Sequence, residues 1–142
     1  MSSSFKYTAG LNNVGSYQVS GIPFCSSSIN CASSVVKVSF PFVTKWILIR
    51  NNSSTSSHDL KVGFSENGVN GVAGENYFII YNVGAADRAS IISPLPLKLS
   101  EIYLKGSSDA EVVAGLTNIP VERINNISPD GTNWSGSYGG IG

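Results

Sequence analysis

The chain has 142 residues, one ordinary domain by length, with 42% hydrophobic and only 13% charged residues. Nine Lys and Arg balance nine Asp and Glu, which argues against nucleic acid as a partner, because non-specific affinity for phosphate backbones comes mainly from clustered basic side chains. Ser, Thr and Asn supply 42 residues and Gly another 15, a composition poor in strong helix formers, and no apolar run reaches membrane-span or signal-peptide length. A soluble, unexported, β-rich single domain without direct membrane insertion is expected.

Met1 to Gly15 is polar, small and aperiodic, and reads as a flexible N-terminal arm. From Ser16 the pattern changes: Tyr17 and Val19 alternate with polar neighbours until Gly21-Ile-Pro23 breaks the run. The Ser/Asn-rich stretch that follows reads as a loop, and it holds both cysteines, Cys25 and Cys31. Two Cys and one His are too few for a structural zinc site, and without an export signal free thiols are expected. Val35 to Phe42 is strand-like, with Pro41 marking an edge, bulge or bend. Lys45-Trp-Ile-Leu-Ile-Arg50 reads as the most buried strand and assigns Trp46, Ile47 and Ile49 to the core.

Asn51 to Asp59 is a polar loop, and Leu60 to Ser65 alternates with period two, placing Phe64 in the core. Asn67-Gly68, Asn70-Gly71 and Gly74 punctuate the next turn. Tyr77 to Val83 is a dense β-branched and aromatic run contributing Phe78 and Ile80, and Ala89 to Ile92 is a shorter strand ending before Pro94 and Pro96. Leu97 and Leu99 share one phase and Ile102 and Leu104 the other, so a bulge is expected near Ser100-Glu101, with Leu99 in the core. Glu111 to Thr117 is the last strand and supplies Val113.

About eight strands and no convincing helix predict an all-β sandwich of two sheets, each with one wet and one dry face. The count suits an eight-stranded jelly roll and other sandwiches alike. The immunoglobulin framework of Cys, Trp and Cys is absent, since both cysteines precede Trp46. Residues 16–120 form the expected domain and 121–142 a flexible tail, Gly/Ser/Asn-rich from Ser128. Trp134, Tyr138 and Ile141 in that tail are candidate subunit-contact residues, because large apolar groups among small residues need a surface to dock on.

Catalytic chemistry is thinly represented. His58 could act as a base with Asp59 and a neighbouring Ser, but adjacent residues on one polar loop are seldom held as a triad, so a solvated loop residue is expected. Gly63-Phe-Ser65-Glu-Asn-Gly68 lacks the nucleophile-elbow spacing and reads as a strand ending in a turn. Glu66, Asn67, Glu75 and Asn76 concentrate hard oxygen donors, the best place for calcium if any were bound. No catalytic residue, metal site or cofactor is assigned, and the chain reads as a non-enzyme. The alternative to a structural role is a carbohydrate-binding or host-attachment module using the aromatics and Asn/Asp of the Glu66 to Tyr77 loop.

Several segments in order carry a resemblance: Asn13-Val-Gly-Ser-Tyr-Gln-Val-Ser-Gly-Ile-Pro23, Trp46-Ile-Leu-Ile-Arg-Asn51, Leu60-Lys-Val-Gly-Phe-Ser-Glu-Asn-Gly68, Asn76-Tyr-Phe78, Leu97-Lys-Leu-Ser-Glu-Ile-Tyr-Leu104 and Ala114-Gly-Leu-Thr-Asn-Ile-Pro120. Over nearly all of Asn13 to Pro120 the chain resembles the penton, or vertex, protein of large icosahedral double-stranded DNA viruses of the chlorovirus and iridovirus kind. The resemblance implies a single jelly roll assembled as a homopentamer that closes the fivefold vertices of a capsid. Its partners would be further copies of itself and neighbouring capsid proteins. Its location would be the virion, with assembly in the host cytoplasm.

Overall fold

Among the described residues the chain forms eight strands: β1 (Ile22–Ile29), β2 (Val36–Ser39), β3 (Phe42–Asn51), β4 (Leu60–Gly63), β5 (Tyr77–Ile80), β6 (Ala89–Ser90), β7 (Glu101–Lys105) and β8 (Ala110–Pro120). They are seen in a computed structural model that describes residues 21–72, 74–82, 89–90, 93–123, 140 and 142. A long sheet orders its strands β1-β8-β3, with the two-residue β6 beyond β3, and a short sheet runs β2-β7-β4-β5. Every pairing is antiparallel: β1 with β8, β2 with β7, β3 with β6 and β4 with β5. The further pairs β3·β8 and β4·β7 fold that nested ladder over on itself.

The core lies between the sheets. From the long sheet come Ile47, Ile49, Val112, Ala114 and Leu116, and from the short sheet Val38, Leu60, Val62, Ile80, Ile102 and Leu104. Each fully buried Ile, Leu or Val contributes roughly 1.5–3 kcal/mol relative to exposure. Phe40 and Leu99 join the same cluster, Phe24 meets Phe40 edge-on at 5.0 Å, and Phe64 and Phe78 pack against it half-buried.

Two expected core residues face the other way. In an antiparallel ladder directly paired residues share a face. Ile47 pairs with Ala114 and Ile49 with Val112, all inward, so Trp46, paired with Gly115, and Leu48, paired with Val113, point outward. Trp46 and Val113 are accordingly half-buried rather than core. The four-residue apolar run of β3 hid this, because both of its faces are apolar.

The segment expected to be a Ser-rich loop is mostly strand: β1 includes Cys25 and pairs with β8 from Ile22↔Leu116 to Ile29↔Ala110. Its weak β propensity is overridden by the open edge of an eleven-residue partner. A register shift between Ser26 and Ile29, with Ser28 at φ 57, ends the regular ladder. Near Ser100 the change of phase is a passage between sheets and not a bulge. Leu95 exchanges two hydrogen bonds with Ile47, Thr44 Oγ1 donates to Leu97 O at 2.6 Å, and Thr44 N donates to Leu99 O; β7 then continues in the short sheet. The turn after β4 contains a five-residue helix, α1 (Glu66–Asn70), capped by Ser65 and closed by Gly71 at φ 73. A 3-10 turn, Val121–Arg123, follows β8. Residues 1–15, Tyr17, Val19, Trp134, Tyr138 and Ile141 lie outside the described residues.

Candidate functional site

The outward face of the long sheet carries an apolar surface. Register places Pro23, Gly115 and Trp46 in one row and Cys25, Val113 and Leu48 in the next, with Glu111 opposite Arg50 beyond them. Gly115 is required by close approach: a Cβ there would overlap the Trp46 indole around Nε1, so the missing side chain lets the ring lie against the β8 backbone. Beside the ring a shallow depression of about 340 Å³ opens between Gly21, Ile22, Pro23, Lys45 and Val113. Ile22 is 38% exposed at its rim. Aromatic and aliphatic groups are central here and charge is marginal, the distribution that distinguishes the core of a protein contact from ordinary surface.

A polar network ties together the loops at one end of the sandwich. Asn51, wholly buried at the end of β3, donates through Nδ2 to His58 O at 2.8 Å and Ile80 O at 3.1 Å, and its Oδ1 accepts from Ser107 Oγ at 2.7 Å. Asn82 Nδ2 donates to Ser53 O and Thr55 O, and Asn82 N donates to Asp59 Oδ1 at 2.9 Å. His58 is therefore half-buried on a tethered loop, not solvated as its sequence context suggested. Its Nδ1 lies 3.3 Å from Ser53 Oγ, which also contacts Ser108 Oγ at 2.7 Å and accepts from Thr55 N. With Ser53 at 0% exposure and Asp59 engaged by Asn82, these three groups hold a loop and do not present a nucleophile. Nothing in the sequence marks Asn51 as the hub, since its partners are spread over two loops and the end of β5.

Cys25 is exposed on β1 and Cys31 is buried, both as free thiols. Burial pushes the Cys31 thiol up from its ordinary pKa, against a smaller opposing effect of backbone hydrogen bonding. Among the described residues no group of three or more His, Cys, Asp and Glu is placed to hold a metal ion. In the Glu66 to Tyr77 turn, where calcium or sugar would be expected to bind, Asn76 Oδ1 accepts from Gly140 N at 2.6 Å, and Lys61 Nζ sits 4.9 Å from the centre of the Tyr77 ring. Among the described residues no helix is long and apolar enough to cross a membrane. No family model, curated protein or solved structure matches this chain.

Proposed function

We propose that this chain is a capsid subunit of an icosahedral virus, an eight-stranded jelly roll that assembles as a pentamer at the fivefold vertices. One observation carries the reading: β1 pairs with β8, β2 with β7, β3 with β6 and β4 with β5. Folding a single long hairpin into two interlocked Greek keys generates that nesting. The order of segments from Asn13 to Pro120 supports the vertex role in particular. A ring of five uses a heterologous contact, in which one patch of each subunit meets a different patch of the next. Trp46, Leu48 and Val113, in adjacent rows of that outward face, make a suitable first patch. Neighbouring capsid proteins would surround the ring in the virion.

Sedimentation equilibrium of the purified chain tests this reading. Five copies of a 14.9 kDa chain, about 75 kDa, are expected. Val113→Lys should lower that mass while leaving the far-UV spectrum of the sandwich unchanged. A parent protein that stays monomeric across the accessible concentration range would count against the pentamer.

A further inference from the structure

The corner after β4 makes a contact that lies outside the sandwich. Ser65 Oγ accepts from Gly68 N at 2.8 Å, and Lys105 on β7 donates to Asn70 Oδ1 at 2.9 Å, so α1 is held at both ends. Gly68 and Val69 are its buried residues. Over Gly68 lies the backbone of Gly142, itself buried, whose carbonyl group occupies the position a Cβ on Gly68 would need. Two residues earlier Gly140, at φ +83, donates its N–H to Asn76 Oδ1 at 2.6 Å. One corner thus grips two glycines at this end of the sequence, Gly142 by shape at Gly68 and Gly140 by a hydrogen bond at Asn76.

We propose that this corner is a socket for the C-terminal segment, and that between associated copies each socket is filled by the segment of a neighbour. Such exchange rests on the association proposed above, and it names the part of each copy that crosses to the next. Both grips act on main-chain atoms of glycines, so the segment of a second copy fits the socket on the same terms as the chain's own. Sixteen residues, 124–139, join Arg123 to Gly140. Extended, they span up to about 55 Å, against a radius of gyration of about 14 Å for a domain of this length. Passing an identical terminal element between copies is a low-cost way to turn a contact within a subunit into one between subunits.

Two full-length variants test the exchange by complementation. Gly68→Val fills the socket and leaves the segment intact; Gly140→Pro removes the donated N–H and forbids φ +83, leaving the socket intact. Gly68→Ala, one methyl group, replaces Gly68→Val should the larger side chain prevent folding. The readout is hydrogen exchange of the terminal peptide, whose mass differs between the two chains. The parent's peptide should be protected and the Gly68→Val chain's own peptide roughly tenfold less so, a ratio equivalent to about 1.4 kcal/mol. Mixing that chain with Gly140→Pro should restore its protection, because only a neighbour's socket is open. Protection in the parent without restoration on mixing would place the segment in its own subunit and overturn the exchange. An unprotected parent peptide would overturn the socket itself. A parent that sediments as a monomer would remove the association reading, whereas an assembled parent without restoration would remove only the exchange.

Discussion

The two sheets are alike inside and unlike outside. Toward the core both present mainly Ile, Leu and Val at alternate positions, with Ala110 and Ala114 on the long sheet. Toward solvent the short sheet sets Lys37 beside Tyr103, Ser39 beside Glu101 and Lys61 beside Lys105. Each of these lysines has a local partner: Lys37 the Glu101 carboxylate, Lys105 the Asn70 amide oxygen and Lys61 the Tyr77 ring. The long sheet instead carries Pro23, Cys25, Trp46, Leu48 and Val113, and keeps charge at its end with Arg50 and Glu111. Burial in the core explains the inner faces of both sheets and neither outer one. What separates the outer faces is composition, polar and charged on the short sheet and apolar on the long one, and the proposed contact uses the second.

Breaking the shared inner face should have the largest effect. Ile49→Ala on the long sheet and Leu104→Ala on the short sheet remove side chains of 0% exposure. Each should cost about 2–5 kcal/mol in urea titration. A large loss from one and none from the other would mean that the sheets do not share one core. The outer faces should separate next. Val113→Lys should weaken self-association at least about tenfold, equivalent to about 1.4 kcal/mol, whereas Lys61→Glu should leave it nearly unchanged. Cys25, exposed beside Val113 in the subunit, gives a direct probe. Its maleimide labelling should slow as the protein concentration rises through assembly. Equal rates at all concentrations would leave that face outside the contact.

The inner faces were legible in the sequence because burial imposes a period of two, and Ile47, Ile49, Ile80 and Leu99 stand where it put them. Trp46 and Val113 were misassigned because hydrophobicity alone does not say which of two apolar faces is the core. β1 was missed because its strand state comes from β8, about ninety residues away, and not from its own Ser-rich composition. The helix α1 did carry local signals, Ser65 before it and Gly71 after it, but five residues are too few for a helical period to register. The hub at Asn51 and the seat of Gly142 on Gly68 join residues far apart in the chain, which no local pattern encodes.

A smaller effect should appear on the short sheet at high pH. Tyr103 donates its hydroxyl to Glu101 Oε1 at 3.1 Å. Burial first, then the Glu101 charge and that hydrogen bond, push its pKa up from 10.0 to about 12. The folded state therefore holds this proton when the unfolded chain has already lost it. The resulting stability is complete below pH 10 and declines as pH rises from 10 through about 12. Tyr103→Phe should flatten that part of the decline, read as urea midpoints on either side of pH 10. An unchanged slope would show that Glu101 and burial do not act on the phenol.

The smallest effect belongs to the ion pair on the same face, and it is the sharpest check on the contrast between faces. Lys37 Nζ lies 3.1 Å from Glu101 Oε2, with the two side chains 52% and 19% exposed. A pair open to water gains little, because solvent screens the attraction and holding a long lysine in place costs entropy. A double-mutant cycle of Lys37→Met and Glu101→Gln should therefore give a coupling of about 0.2–1 kcal/mol. That coupling should shrink further as salt shortens the Debye length. Methionine keeps most of the lysine stem and glutamine keeps an acceptor for Tyr103, so the cycle isolates charge from packing. A coupling well above that range, insensitive to salt, would mean that this face is dried by a contact of its own. The proposed division into one face for water and one for a neighbour would then fail on the short sheet.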